Sequence, residues 1–119
     1  MDRIAVLTSG GDAPGMNAAI RAVVLSGISE GFEVYAAIGG YKGLILDEFK
    51  KLKLSDVENI IHQGGTIIKS SRCPEFVEEA GFNKAVKNIK KHNFDSVVVL
   101  GGDGSMKGAM KLMAAGVIQ

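Results

Sequence analysis

Two glycine loops hold the residues of this chain best suited to chemistry. In VLTSGGDAPGMNAAI an apolar run passes into Ser9-Gly10-Gly11-Asp12-Ala13-Pro14-Gly15, and a helix-like stretch follows. In VVVLGGDGSMKGAM the same succession surrounds Gly101-Gly102-Asp103-Gly104-Ser105. Free N–H groups at a helix start favour an anion, and glycines let the backbone approach phosphate oxygens closely. Two such loops read as a nucleotide or phosphoryl-transfer site. An acid among glycines would repel a bare phosphate. The conflict disappears if Asp103 holds Mg²⁺ and the metal bridges to the phosphates. The bland alternative is that both loops are tight turns and helix caps, where Gly and Asp are common. It explains one loop more easily than two in the same setting. Neither loop is a Walker A motif, because no Gly-Lys-Ser/Thr is present. Gly102, Gly104 and Gly108 are one residue too long for G-x-G-x-x-G.

The surrounding pattern is strands alternating with helices. Arg3–Thr8, Phe32–Ile38 and Ser96–Leu100 read as strands, with weaker extended pieces at Gly43–Leu46, Leu52–Leu54 and Thr66–Lys69. Met16–Ser29 reads as a helix from its apolar stripe of Met16, Ala19, Ile20, Val23, Val24 and Ile28. Ser55 and Glu58 predict a capping box for a turn through Ile61. A helical patch starts at Cys73-Pro74-Glu75, with Gly81 expected to interrupt it before the firmer helix Phe82–Lys91. Ser105–Ala115 is expected to be a helix with Met106, Ala109, Met110 and Met113 inward. This order predicts a Rossmann-like three-layer αβα fold with a mostly parallel sheet. In such a sheet the carboxyl ends of the strands share one edge, so both loops should face one crevice. No linker divides the 119 residues, which read as one domain. Gly116-Val117-Ile118 looks like the start of another strand, so the sheet is expected to be unfinished at Gln119.

Composition narrows the classes. Hydrophobic residues make up 46% and charged residues 23%, as in a globular domain. The formal net charge is +1 with scattered Lys and Arg, which argues against nucleic-acid and polybasic membrane surfaces. No apolar run reaches the length of a membrane span, and Met-Asp-Arg-Ile is no signal peptide. The single cysteine, Cys73, allows no internal disulfide, so a reducing cytoplasm is the expected setting. The glycine pairs Gly10-Gly11, Gly39-Gly40, Gly64-Gly65 and Gly101-Gly102 are irregularly spaced, which argues against a repeat protein. His62 and His92 lack metal-ligand spacing and read as surface residues. Lys87, Lys90 and Lys91 read as a solvated helix end.

LTSGGDAPGMNAAIRAVV at Leu7–Val24, GGT at Gly64–Thr66, SRCPEF at Ser71–Phe76 and GGDGS at Gly101–Ser105 together resemble the amino-terminal part of bacterial ATP-dependent 6-phosphofructokinases. The likeness runs along the whole chain. It implies an ATP-binding domain and transfer of the ATP γ-phosphoryl to O1 of fructose 6-phosphate, with Mg²⁺ as cofactor. It places the N–H of Gly11 at the transferring phosphoryl and Arg72 on the phosphates, where a planar guanidinium stabilises transition-state charge. Tyr41 and Cys73 would border the nucleotide. Gly102, Gly104, Ser105 and Gly108 would line its cleft, with Asp103 on the metal. Pyrophosphate-dependent relatives usually carry Asp at the position of Gly104, so Gly104 implies ATP as donor. The resemblance also implies a cytoplasmic homotetramer.

The chain departs from that family in three ways. The Thr-Ile-Asp-Asn-Asp segment that supplies the general base would fall just after Gln119, as would the sugar-phosphate ligands, so the 119 residues alone are expected to be inactive. At the effector site for ADP or phosphoenolpyruvate, Arg21 matches, but Leu25 and Leu54 replace companion arginines. Cys73 stands where an aromatic residue is common, and Val77 where a basic one can occur. Leu25 lies off the apolar stripe and reads either as a lone surface hydrophobe or as part of a subunit interface. Two other functions stay open: a GGDG kinase of the NAD-kinase or diacylglycerol-kinase type, and a non-catalytic nucleotide-binding module. The first shares the second loop but does not explain Leu7–Val24.

Overall fold

A computed structural model describes residues 2–9, 16–58, 68, 76, 78–101 and 103–114, with the main chain alone at 103–106 and 114. Its elements, in chain order, are β1 (Arg3–Thr8), α1 (Met16–Ser29), β2 (Glu33–Ala37), α2 (Tyr41–Leu46), β3 (Phe49–Lys51), a 3-10 turn (Leu54–Val57), α3 (Glu79–Lys91), β4 (Ser96–Leu100) and α4 (Asp103–Ala114). The strands form one sheet in the order β3-β2-β1-β4. β1 runs parallel to both β2 and β4, and only β3 is antiparallel. The mostly parallel α/β sheet read from the sequence is the sheet found.

Strand alternation builds two cores. Ala5 and Leu7 of β1, Ala37 of β2 and Val97 and Val99 of β4 face one side, where Leu44 of α2, Ala85 and Ile89 of α3 and Leu112 of α4 cover them. Val6, Val34, Ala36, Val98 and Leu100 face the other, against Ile20 and Val24 of α1 and Val57 of the 3-10 turn. The three parallel strands are largely apolar because both faces are covered, whereas β3, at the edge, exposes Lys50 and Lys51. An open apolar groove lined by Ile4, Val23, Gly27, Phe32 and Val98 lies along α1, beside the amino-terminal half of β1. Among the described residues, no helix is long and apolar enough to cross a membrane.

Several local expectations are corrected. Gly43–Leu46 is not extended: it belongs to helix α2. A six-residue helix shows no usable period, and its stability comes from its neighbours. Gly81 does not interrupt α3 but lies buried within it. Of the piece read as extended at Leu52–Leu54, Leu54 opens the 3-10 turn, and the strand there is Phe49–Lys51. The turn is closed by Asp56 Oδ2, which accepts the Lys53 N–H at 2.8 Å, in place of the expected Ser55–Glu58 pair. α4 starts two residues earlier than read, at Asp103. Met110 and Met113 point outward at 61% and 57% exposure, and Leu112 is the buried residue. The extended reading at Thr66, Ile67 and Lys69, and the helical patch at Cys73–Glu75, lie outside the described residues.

The carboxyl ends of α2 and α3 are locked together. Asp47, in the left-handed region at φ 59°, ends α2. Its carboxylate accepts from Lys91 Nζ at 2.7 Å and meets His92 Nε2 at 2.5 Å. His92 is therefore no free surface residue; its ring also packs on Phe49 and Phe94. The hydrogen bonds from Lys91 and His92 hold the Asp47 carboxyl below its ordinary 3.8. A lowered folded-state pKa stabilises the fold above the unfolded value, and that stabilisation fades as pH falls through the folded value. Asp47→Asn is expected to flatten the loss of stability below pH ~4, read from denaturant midpoints at pH 7 and at acid pH. An unchanged acid slope would contradict this role.

Candidate nucleotide site

The site is built at the carboxyl ends of β1 and β4. The two strands are adjacent, with Thr8 opposite Leu100. The Ser9 N–H continues the ladder by donating to Leu100 O at 3.0 Å. The strand ends from which the two glycine loops continue in sequence therefore lie side by side. β1 leads to β2 across the face covered by α1, whereas β4 is entered from α3 on the opposite face. The strand order thus reverses between β1 and β4. In open α/β sheets such a switch point opens a crevice outside the strand ends, and ligands bind there.

The Gly39-Gly40 turn forms a neighbouring wall. Gly40 has φ +73°, and a Cβ there would collide with Thr8 O. The close approach that this glycine permits is thus to the protein's own strand. Tyr41 follows as the first residue of α2, only 4% exposed, and its ring stacks on Phe76 with centroids 4.1 Å apart. Gly108, on the second turn of α4, lies directly beneath: an added Cβ would sit 2.7 Å from Tyr41 Cζ and Oη and 3.1 Å from Phe76 Cε2. Burial pushes the Tyr41 hydroxyl up to about 12, against an opposing hydrogen bond with the Ala109 backbone. Tyr41 therefore stays neutral across the physiological range.

The structure brings together Tyr41 and Gly108, on the helix that Asp103 begins. Asp103 is the first residue of α4, and Gly104 and Ser105 follow in its first turn. An acidic residue at a helix start is favoured by the helix dipole whether or not it meets a metal. Among the described residues no cluster of three His, Cys, Asp or Glu side chains exists. Mg²⁺ on a nucleotide commonly uses one or two carboxylates plus phosphate oxygens, and a single hard oxygen donor at Asp103 suits that mode. Gly11, Arg72, Cys73 and Gly102 lie outside the described residues. Arg21 and Leu25 sit one turn apart on α1, both half-buried, on the helix that packs against the 3-10 turn carrying the exposed Leu54. They lie on the far layer from Tyr41 and Gly108.

Sequence reasoning left out three residues of this edge. Phe76 is the stacking partner of Tyr41; its signal was an aromatic residue closing SRCPEF. Thr8 and Asn17 are buried polar residues flanking the first loop. Among the described residues no buried side-chain nitrogen or oxygen lacks a partner.

The family model described as Phosphofructokinase matches residues 3–119. The chain belongs to the phosphofructokinase family. Its sequence is 59% identical over 116 residues to an ATP-dependent 6-phosphofructokinase of Clostridioides difficile, covering 98% of this chain and 36% of that protein. An ATP-dependent 6-phosphofructokinase of Streptococcus sanguinis is 55% identical over 116 residues, covering 98% of this chain and 34% of its own length. The chain thus spans about a third of the length of these phosphofructokinases. The structure matches Pichia pastoris phosphofructokinase in the T-state with TM-score 0.89 and 49% identity, over 92% of this chain and 12% of that one. It also matches a pyrophosphate-dependent phosphofructokinase of Marinobacter aquaeolei, with TM-score 0.82 over 97% of this chain and 30% of that one, but at 19% identity this shows a shared fold alone.

Proposed function

We propose that this chain forms the ATP-binding part of a 6-phosphofructokinase that transfers the γ-phosphoryl of ATP to O1 of fructose 6-phosphate. The observation that carries the reading is the switch point: the two glycine loops leave adjacent parallel strands joined by the Ser9–Leu100 hydrogen bond. Phosphates in that crevice would meet the N–H groups of the first loop and of the α4 start. Gly11 N–H would approach the transferring phosphoryl, and Arg72 would pair with its oxygens as charge builds in the transition state. Gly102, Gly104 and Ser105 would line the cleft. Tyr41, Gly108 and Cys73 would border the nucleotide. Asp103 would hold Mg²⁺, which when bound neutralises charge on the phosphates. The general base and sugar ligands would come from the rest of the polypeptide, since these 119 residues span about a third of the relatives' length. A cytoplasmic homotetramer is proposed on the same likeness, and ADP or phosphoenolpyruvate control through Arg21 is weakened by Leu25 and Leu54.

The test of this reading uses the complete polypeptide that carries the chain. ATP-dependent phosphorylation of fructose 6-phosphate supports it; transfer to NAD or diacylglycerol instead contradicts it, as does a polypeptide that binds nucleotide but transfers nothing. The donor assignment has its own check. Gly104→Asp adds a charged side chain to the first turn of α4, and is expected to weaken use of ATP at least ~10-fold in kcat/KM, about 1.4 kcal/mol. Normal ATP kinetics in that variant would refute the crowding argument.

A further inference from the structure

A long-range polar contact to α2 comes from a residue with no place in the glycine loops. Asn88, half-buried on α3, donates its Nδ2 hydrogens to Leu44 O at 2.8 Å and Ile45 O at 3.1 Å. These are two of the carbonyls that a helix end leaves without intrahelical partners. The neighbouring Gly43 O is served by the N–H groups of Asp47 and Glu48. α2 has six residues, too few to hold a helix by its own hydrogen bonds. At its other end Gly39 N–H donates to Ile68 O at 3.0 Å, and Gly40 abuts Thr8. The helix is thus fixed at both ends, and Tyr41 is its first residue, wedged between Phe76 and Gly108.

We propose that Asn88 is a positioning residue for the nucleotide site, holding α2 through Leu44 O and Ile45 O so that Tyr41 stays stacked on Phe76 over Gly108. The proposal rests on the reading of Tyr41 as a border of the nucleotide. Asn88 touches no reacting group; it acts across α2 on the residue at that helix's far end. The amide suits the task because one NH₂ group offers two donors to two adjacent carbonyls. An aspartate of the same shape would set a carboxylate against both carbonyl oxygens, so the end of α2 would have to move.

The experiment compares the complete polypeptide with its Asn88→Asp, Asn88→Ala and Asn88→Gln variants by two readouts. Hydrogen exchange without ligand should rise in the peptide covering residues 39–46 in Asn88→Asp and Asn88→Ala, while peptides from β1 and β4 keep their protection. KM for MgATP should rise ~5-fold or more, from the loss of about two hydrogen bonds, with kcat and KM for fructose 6-phosphate within twofold. Asn88→Gln, which keeps the amide, should recover most of both effects. A general loss of stability would instead lower the active fraction without a selective change in KM. Unchanged exchange at 39–46 overturns the role of Asn88 in holding α2. Raised exchange with an unchanged KM for MgATP overturns the link from α2 to the nucleotide. An unsubstituted polypeptide without MgATP-dependent activity removes the functional reading itself, and the exchange result then shows separately whether Asn88 holds α2.

Discussion

Asp103→Ala in the complete polypeptide is expected to reduce turnover with MgATP by about 100-fold, or ~2.7 kcal/mol of transition-state stabilisation, and to raise the Mg²⁺ concentration needed for half-maximal rate. Asp103 is the first residue of α4, at the end of β4 and beside the exit of β1. If its carboxylate only complements the helix dipole, the loss would be confined to stability, about 0.3–1 kcal/mol, with unchanged Mg²⁺ dependence. The two roles therefore separate cleanly. A fall in melting temperature with normal turnover of the folded fraction would leave Asp103 as a cap.

Gly108→Val carries the second large effect. A Cβ at position 108 would stand 2.7 Å from the Tyr41 ring, inside contact distance, and 3.1 Å from Phe76. Tyr41 has little room to yield, because it is stacked on Phe76 and bonded with the Ala109 backbone. Phe76 in turn packs edge-on against Phe82, over which Lys111 lies. Overpacking of this kind costs about 1–3 kcal/mol, so the denaturant midpoint should fall. Beyond that, the displaced Tyr41 should raise KM for MgATP several-fold more than KM for fructose 6-phosphate. Tyr41→Ala in the same background is the informative partner: with the ring gone, the branched side chain fits, and the stability loss of the pair should be less than the sum of the single losses. Strict additivity would show that Gly108 is not there for Tyr41.

Much of this arrangement was legible in the residues. The strand–turn–helix grammar at Leu7–Val24 and Val97–Met113 predicts two loops at one sheet edge, and the structure adds that the strands before them, β1 and β4, are neighbours in register. Buried strands announce themselves as apolar runs, and a right-handed α/β succession leaves few arrangements for them. What failed was local structure fixed by distant partners. Gly43–Leu46 reads as extended because it is short and apolar, whereas it is helical, with Leu44 O and Ile45 O bonded by Asn88 more than forty residues later in the chain. The face of α4 was misjudged for the same reason. A methionine stripe suggested Met110 and Met113 as core, but the face of α4 that meets Tyr41 and Phe76 is at Gly108, and Leu112, one turn further on, is the buried residue. Gly81 looked like a helix breaker, yet α3 packs on α2 with that glycine buried, and burial outweighs its helix penalty of about 1 kcal/mol. His92 looked like surface because nothing in its own stretch shows Asp47, which reaches it from the end of α2.

Hydrogen exchange of the complete polypeptide with and without MgATP tests the central claim most directly, because it locates the nucleotide without assuming any residue's role. Protection is expected at the carboxyl edge of the sheet: around Ser9, at Gly39–Tyr41, and at Gly101–Gly108, with residues 22–32 of α1 and its following turn unaffected. Protection centred instead on the apolar groove between α1 and β4, or no change at the β1 and β4 ends, would contradict the assignment of the switch point as the ATP site.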